Sequence, residues 1–164
     1  MALDGIHTHF GATVYTTPVV WRMAWWVPIV FAAAFCLGLL RPLLERATGQ
    51  RPSPALTLDK ALLAFALFVV AYWTSVAPLD WRVVSALLAG IFAVSWWLCD
   101  RSRLGLLIAA IGAVGGPLVE SALVSLGTFV HVHPVVLGVS GWLPFLYLSA
   151  AIALTSTGKL LVDG

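Results

Sequence analysis

Five long apolar stretches constrain the fold of this chain more than any other feature of its sequence. They are Val19–Leu40, Ala61–Ala77, Val83–Cys99, Leu104–Val130 and Val135–Thr155. A transmembrane helix needs about 20 apolar residues, and none of the stretches alternates as a barrel strand does. Because lipid offers no water to open backbone groups, only helices or closed barrels can cross it. The sequence therefore predicts an all-α, polytopic transmembrane helix bundle with five spans.

The composition excludes several classes of protein. Of the 164 residues, 61% are hydrophobic and 10% are charged, whereas soluble domains are about half apolar and about a quarter charged. An ordinary cytosolic globule, a disordered tail and a nucleic-acid binder are therefore excluded. The sequence has no Gly-x-Ser-x-Gly, no His-Glu-x-x-His, no phosphate loop and no Asp-rich metal motif, so we expect neither enzymatic activity nor a conventional cofactor.

The positive charges predict the orientation of the bundle. With five spans, one face carries Arg41, Arg46, Arg51, Lys60, Arg101, Arg103 and Lys159, and the other carries Arg22 and Arg82. The positive-inside rule then places the N-terminus outside and the C-terminus in the cytoplasm. We divide the chain into an N-terminal interfacial segment, 1–18, and a transmembrane domain, 19–164. No internal repeat is expected.

Glu120 breaks the apolar pattern inside the fourth stretch. A carboxylate at membrane depth costs about 3 kcal/mol, so its side chain should face the bundle interior, either as a ligand or proton site or as a hydrogen-bonded structural group. The preceding Gly115-Gly116-Pro117 predicts a bend or a local opening of the helix. A face of small residues predicts close helix contact, within one chain or between chains; it consists of Ala109, Gly112, Ala113 and Gly116.

Histidines and tryptophans lie near the predicted span ends. The two His-x-His pairs, His7/His9 and His131/His133, fall on one face, but residues i and i+2 rarely converge on one metal outside strands. We therefore predict interfacial histidines and no metal site. Trp96 and Trp97 lie one helical turn before Asp100, so one of the two rings can face inward towards a bound lipid.

Four segments occur in one order along the chain: Ala24-Trp25-Trp26-Val27-Pro28, Leu79-Asp80, Trp96-Trp97 followed by Asp100-Arg101-Ser102-Arg103, and Gly141-Trp142-Leu143-Pro144. This series resembles the insulin-induced-gene (Insig) family of membrane sterol sensors. The match runs from about Ala24 to Leu160, and Trp-Trp-x-x-Asp-Arg-Ser-Arg is its most specific part.

The resemblance implies a six-helix bundle without enzymatic activity. Family members bind oxysterols within the membrane and hold back sterol-sensing-domain proteins, namely the escort protein Scap and HMG-CoA reductase. The family's aspartate for partner engagement corresponds to Asp100, its pocket tryptophan to Trp96, and a pocket phenylalanine lies near Phe68. A compact chain of this kind resembles a bacterial homologue, which predicts the bacterial plasma membrane, with the endoplasmic reticulum as the alternative.

These observations lead to a hypothesis of a non-enzymatic membrane sensor that binds a sterol-like or acyl-chain lipid. In the predicted lipid site, Phe68, Trp73 and Trp96 form the apolar walls. Glu120 and Ser121 supply the polar contacts. The predicted partner surface is Asp100, Arg101 and Arg103, although Asp100 and Arg103, at i and i+3, can simply pair with each other.

The expected partners are a membrane lipid or sterol, further copies of the chain through the small-residue faces, and a sterol-sensing-domain protein only if the family's role is kept. No nucleic acid is expected. Two other classes stay open: a small transporter or membrane enzyme that uses Glu120 as a proton or ion site, and a purely structural assembly subunit.

Overall fold

The computed structural model describes residues 2–47 and 57–163, and these residues form a bundle of helices. The helices are α1 (Ala2–His9), α2 (Val27–Ala47), α3 (Leu58–Ser75), α4 (Trp81–Ser95), α5 (Arg103–Ser125) and α6 (Leu143–Asp163), and a π-helical turn, Trp96–Asp100, extends α4. The two short strands are β1 (Thr13–Tyr15) and β2 (Phe129–His131). Five helices are long and apolar enough to cross a membrane, which confirms the predicted all-α bundle of five spans.

The first and the last span begin later than the sequence predicts. Both α2 and α6 follow a tight apolar turn, in which Val20 pairs with Met23 and Val136 with Val139. These turns are exposed but apolar, and hydropathy alone does not distinguish an apolar turn from the first turns of an apolar helix. Both helices also continue beyond the apolar stretches, through residues that include Arg41 and Lys159.

An internal repeat relates the two ends of the chain, contrary to the sequence-based expectation. The unit α1-β1-α2 has the same order of elements as the unit α5-β2-α6, with the same turn before the last helix. Pro18-Val19-Val20 in the first unit corresponds to Pro134-Val135-Val136 in the second. Seven of the 18 positions are identical between residues 11–28 and 127–144, so the repeat is marked in the sequence as well as in the backbone. The helix α1 matches only the last turns of α5.

The strand pairing places the two units around a local two-fold axis. β1 and β2 are antiparallel, and Val14 pairs with Val130 at the centre of the sheet. On either side, the N–H of Thr16 donates to the carbonyl of Thr128 at 3.1 Å and that of Val132 to Ala12 at 3.0 Å. A residue of one unit therefore has a structural counterpart in the other.

The helix α6 lies at the centre of the bundle and packs against α2, α3, α4 and α5. The backbones of α6 and α2 touch at two glycines. A Cβ on Gly38 would lie 2.7 Å from the carbonyl oxygen of Leu154, and a Cβ on Gly158 would lie 2.5 Å from the carbonyl oxygen of Gly38. The main apolar core forms where α6 meets α3 and α4, and it includes Phe68 and Leu88.

The small-residue face of α5 packs within the chain. A Cβ on Gly116 would lie 2.3 Å from the ring of Tyr147, and Gly112 faces Ala151 of α6. Of the two alternatives for this face, the structure shows contact inside one chain, so the expected closure of an oligomer through it is not supported. Pro117 lies inside α5, which is continuous from Arg103 to Ser125, and the bend expected at this proline stays a prediction.

Candidate functional site

Buried polar side chains gather beneath the two-stranded sheet, at the end of the bundle where α3 ends and α6 begins. We call them the polar cluster: Asp4, His7, Tyr15, Tyr72, Ser75, Glu120, His131, Ser140 and Tyr147. They come from both repeat units and from α3. Polar groups buried in an apolar bundle are costly unless they are hydrogen-bonded, so their partners show how the cluster is held.

Each repeat unit contributes one carboxylate at the same structural position. Asp4 of α1 accepts a hydrogen bond from the hydroxyl of Tyr15 at 2.9 Å. Glu120 of α5 accepts one from Nε2 of His131 at 2.9 Å and one from the hydroxyl of Tyr147 at 2.7 Å. The other ring nitrogen of His131, Nδ1, lies 3.0 Å from Oγ of Ser140, so both nitrogens have a hydrogen-bond partner. The two carboxylates are thus held by side chains from equivalent strands.

His7 is fixed by one hydrogen bond and two aromatic neighbours. Its Nε2 lies 2.7 Å from Oγ of Ser75, whose proton is already donated to the carbonyl of Tyr72. Ser75 can therefore only accept, and His7 donates from Nε2. The imidazole stacks on the ring of Tyr72, 4.7 Å between centroids, and lies 5.3 Å from the ring of Trp142.

Burial shifts the acid–base properties of the residues outside the spans. It raises the pKa of Asp4 to about 6, against the hydrogen bond from Tyr15, which lowers it. Burial also lowers the pKa of His7 to about 3, with a smaller contribution from the charge of His131. The pKa of Tyr15 is raised, first by burial and then by the charge of Asp4. His7 is therefore neutral at neutral pH, and the Asp4 carboxyl titrates near pH 6.

The two shifted pKa values predict opposing effects of pH on stability. The Asp4 pKa of about 6 exceeds its ordinary value of 3.8, so the protonated form favours the folded state and that contribution is lost as pH rises through 6. The His7 pKa of about 3 lies below its ordinary 6.5, so the stability from neutral His7 is lost as pH falls from 6.5. Between about pH 4 and 6 the two slopes, each about 1.4 kcal/mol per pH unit, cancel.

Thermal unfolding of the detergent-solubilised protein across this pH range tests the two slopes. Relative to the wild type, Asp4→Asn should give a melting temperature that rises with pH, because His7 alone then contributes. His7→Gln should give one that falls with pH, because Asp4 alone then contributes. Curves for both variants that run parallel to the wild-type curve would contradict the assigned shifts.

The structure distributes the predicted lipid-site residues over several places. Phe68 packs edge-on against Tyr72, 5.1 Å between centroids, and Glu120 belongs to the polar cluster. Ser121 donates instead to the carbonyl of Leu137 at 2.7 Å and so holds the turn before α6. Trp73 is 52% exposed on the outer side of α3. The role of these residues in lipid binding stays a prediction.

Trp96 lies at the other end of the bundle, where it faces inward, as predicted for one of the two neighbouring tryptophans. It packs near the buried Cys99 and Ile152, and its indole Nε1 donates to the carbonyl of Ser102 at 3.1 Å. Trp97 is exposed, and the guanidinium of Arg101 lies 4.4 Å from its ring centroid.

The segment Asp100-Arg101-Ser102-Arg103 forms a tight corner between the π-helical turn and α5. Arg101 has a left-handed backbone, with φ of 57°, and its N–H donates to the carbonyl of Trp96. The hydroxyl of Ser102 accepts from the N–H of Gly105 at 2.9 Å and caps α5. A Cβ on Gly105 would lie 1.6 Å from a carboxylate oxygen of Asp100. Asp100, Arg101 and Ser102 therefore each help to shape this corner.

Four charged side chains form a buried ion network behind this corner. Arg41 holds both carboxylate oxygens of Asp100, at 2.9 and 2.5 Å, and its Nε donates to Glu45 at 3.1 Å. Lys159 of α6 donates to the other oxygen of Glu45 at 3.0 Å. Arg41 is only 1% exposed and Lys159 only 2%. Among the described residues, these pairs match two cations with two carboxylates and join α2, α6 and the α4–α5 corner.

The predicted partner surface is therefore divided by the structure. Asp100 is buried and pairs with Arg41, whereas Arg101 and Arg103 are exposed. Sequence reasoning missed the other members of the buried ion network, because charges that follow an apolar stretch look like the end of a span. The i, i+4 spacing of Arg41 and Glu45 was the one signal that could have revealed the network.

The histidines do not assemble into a group within the described part of the chain. His7 and His131 flank the indole of Trp142, and His9 and His133 are exposed. Across residues 2–47 and 57–163, no three His, Cys, Asp or Glu side chains come close enough to hold a metal ion together.

Comparison with known proteins gives a consistent set of relatives, although no protein-family model matches. The chain is 35% identical over 172 residues to an INSIG protein homolog of Mycolicibacterium vanbaalenii, which covers 98% of this chain and 81% of the relative. It is 30% identical to insulin-induced gene 1 proteins of Danio rerio and Mus musculus, over 86% and 88% of this chain. The chain spans 57% of the length of each of these two vertebrate relatives.

Two solved structures share the fold. The crystal structure of the mycobacterial Insig homolog MvINS from Mycobacterium vanbaalenii superimposes with a TM-score of 0.85 at 32% identity, over 98% of this chain and 87% of that one. A cross-linked trimer of MvINS gives the same TM-score at 31% identity, over 98% of this chain and 86% of that one.

Proposed function

The chain belongs to the Insig family of membrane proteins, and from this premise we propose that it is a non-enzymatic sensor that binds a lipid inside its helix bundle. The ligand is a sterol-like or acyl-chain lipid, and its binding regulates a membrane partner. The bacterial homologue favours the bacterial plasma membrane as the location, with the endoplasmic reticulum of the vertebrate relatives as the alternative.

The junction between the polar cluster and the apolar core carries the proposal. Phe68 packs on Tyr72, which in turn stacks on His7, so apolar and polar surfaces meet along one line of side chains. The Tyr72 hydroxyl makes no hydrogen bond within residues 2–47 and 57–163, although its ring is buried. A hydroxyl can both donate and accept a hydrogen bond, so a lipid headgroup would be a suitable partner for it.

An amphipathic ligand suits this junction for a physical reason. Binding sites for small molecules are mostly apolar, with a few polar groups that set the orientation. Here Phe68 would contact the apolar body, while Tyr72 and Glu120 would bond the headgroup. Trp73, Trp96 and Ser121 lie outside the polar cluster, so they are not among the headgroup contacts that we propose.

The charges support a proposed orientation and a proposed partner face. Apart from Arg51, which lies outside the described residues, the cations predicted for the cytoplasmic face occur at or near the end that carries the buried ion network. The positive-inside rule places this end in the cytoplasm and the polar cluster at the outer end. The exposed Arg101 and Arg103 would meet a partner there, and a sterol-sensing-domain protein fits if the family's role is kept.

We also propose that the chain forms a homo-oligomer. The cross-linked trimer of MvINS supports this assembly, since that protein shares the fold over 98% of this chain. The contact cannot use Gly112 and Gly116 of α5, because their face is already covered by α6. The outer side of α5 is apolar and exposed, at residues such as Ile111, Val114 and Leu118.

Mass spectrometry of lipids retained by the gently purified protein tests the lipid-sensor proposal. We expect one lipid class to be enriched over bulk membrane lipid and displaced by a saturable competitor. Phe68→Ala and Glu120→Gln should lower its occupancy about tenfold, equivalent to about 1.4 kcal/mol. Phe65→Ala is the matched control, because Phe65 lies on the same helix but is 50% exposed on its outer side.

The same variants separate the proposal from the alternatives. Bulk lipid alone, without enrichment or competition, would contradict a sensor and favour a structural subunit. A pH-dependent flux in proteoliposomes that disappears in Glu120→Gln, with lipid occupancy intact, would indicate a transporter instead. In that case the hydrogen bonds of Glu120 to His131 and Tyr147 would serve as a proton path.

A further inference from the structure

A recess opens on the outer side of the bundle, between α1, the turn that precedes α2 and the end of α3. It has a volume of about 420 Å³, and its lining includes Ile6, His9, Phe10, Trp21, Arg22 and Trp73. We call it the rim recess. Trp73 lies two residues before the end of α3, which places the recess at the level of lipid headgroups. The lining is largely aromatic, with one permanently charged group.

Arg22 occupies a backbone conformation that favours glycine. Its φ is +62° and that of Trp21 is +48°. In the second repeat unit the same turn is made by Leu137 and Gly138, with φ of +51° and +79°. A non-glycine residue in the left-handed region costs about 1–2 kcal/mol. Because glycine makes the equivalent turn, the backbone needs no side chain at position 22, and the fold alone does not explain this arginine.

The turn that carries Arg22 is firmly held. The hydroxyl of Thr8, a buried residue of α1, donates to the carbonyl of Trp21 at 3.0 Å. The Trp21 ring lies over Gly5, where a Cβ would be 3.9 Å from it. The guanidinium of Arg22, by contrast, makes neither an ion pair nor a hydrogen bond with the residues that the structure describes. The recess thus has a positioned cation that lacks a counter-charge.

We propose that the rim recess binds the headgroup of an anionic phospholipid. The phosphate would pair with Arg22, and an acyl chain would lie against Phe10 and Trp73, whose rings meet edge-on at 5.5 Å between centroids. Arginine matches the geometry of a phosphate well, with two parallel N–H donors. The aromatic walls favour a lipid over a soluble anion, because Phe10 and Trp73 are about half exposed and offer an apolar surface to an acyl chain. Backbone strain at a non-glycine residue such as Arg22 is found mostly at functional positions.

This site is separate from the proposed interior ligand. None of the residues that line the rim recess belongs to the polar cluster. The interior proposal depends on Phe68 and Glu120, which face the bundle core. Either site can therefore fail its test without affecting the other.

Reconstitution into vesicles of phosphatidylcholine mixed with phosphatidylglycerol tests the proposal. After mild extraction, the ratio of the two lipids retained by the protein is measured by mass spectrometry. Arg22→Gly should lower the retained phosphatidylglycerol about fivefold, since one arginine near an anionic lipid surface contributes about 1 kcal/mol. Its melting temperature should be equal or higher, because glycine relieves the left-handed strain. Arg22→Lys should keep most of the retention.

The control variant is Arg82→Ala. Arg82 lies at the same end of the bundle and is exposed, but it rests over the ring of Trp81 and does not line the rim recess. Its replacement should leave the lipid ratio unchanged. If Arg22→Gly and Arg82→Ala lowered the retained phosphatidylglycerol equally, the cause would be the general surface charge, and the proposed site would be refuted. Unchanged retention in Arg22→Gly, or loss only in Phe68→Ala, would also overturn it.

Discussion

Replacing Arg41 with alanine should destabilise the protein by about 3–5 kcal/mol, the usual cost of breaking a buried ion pair from one side. Arg41 is 1% exposed and bonds Asp100, Glu45 and Ser102. Without it, the Asp100 carboxylate stays buried without its cation, and Glu45 loses its hydrogen bond from the Arg41 guanidinium. The α4–α5 corner then loses its ion pair with α2 and keeps its packing against α6.

Thermal unfolding in detergent measures this effect. For a chain of this size the loss corresponds to a fall of about 10 °C in melting temperature. Arg103→Ala is the control, because Arg103 carries the same charge at the same corner but is exposed, and its effect should stay within about 0.5 kcal/mol. A melting temperature for Arg41→Ala within that margin would contradict the importance of the buried ion network.

The buried ion network also gives a testable view of Asp100. The resemblance assigns this aspartate to partner engagement, yet its side chain is buried against Arg41. We expect Asp100 to act on a partner by holding the corner on which Arg101 and Arg103 are exposed. Arg41→Ala should then weaken partner capture as much as Asp100→Ala does. Retention of capture in folded Arg41→Ala would instead indicate direct contact by Asp100.

A methyl group added where α2 crosses α6 should have the second large effect. In Gly38→Ala the new Cβ would lie 2.7 Å from the carbonyl oxygen of Leu154, and in Gly158→Ala 2.5 Å from that of Gly38. Both neighbours are backbone atoms, so no side chain can rotate away and the two helices must separate. Overpacking of this kind costs about 1–3 kcal/mol, and the separation would also strain the bonds between Arg41 and its partners.

Gly90→Ala is the matched control for the crossing. Gly90 lies inside α4, and an added Cβ there meets no atom within 4 Å. Alanine should therefore raise the melting temperature slightly, because glycine costs a helix about 1 kcal/mol relative to alanine. If Gly38→Ala and Gly90→Ala shifted the melting temperature in the same upward direction, the close approach of α2 and α6 would be refuted.

Much of the architecture could be predicted from hydropathy alone. The number of spans and the helical class follow from the lengths of the apolar stretches, and all five long helices are found. The starts of the first and last helices were wrong because Val19 and Val135 belong to turns rather than to helices. Whether a short apolar segment forms a turn or a helix depends on its backbone hydrogen bonds, and hydropathy does not report these.

The site could be predicted only in part. Glu120 stood out because a carboxylate is costly inside a membrane, and it does hydrogen-bond within the bundle. Its counterpart Asp4 was hidden in a segment read as interfacial. The two are related by the pairing of β1 with β2 and by the same offset along the chain that relates Pro18-Val19-Val20 to Pro134-Val135-Val136. Ser121 was predicted to act together with Glu120, but its hydroxyl donates to the carbonyl of Leu137 in the turn before α6.

The sequence by itself determined that this chain is a bundle of five apolar spans, and the motif around Asp100 related it to its family. Both conclusions rest on local properties, namely hydropathy along the chain and a short run of residues. Only the tertiary structure decided that Arg41, Glu45, Asp100 and Lys159 neutralise one another and that two repeat units face each other across a strand pair. Those features depend on which distant parts of the chain meet. A pairing of charges leaves few marks in a one-dimensional pattern, and a repeated segment does not show how its two copies pack.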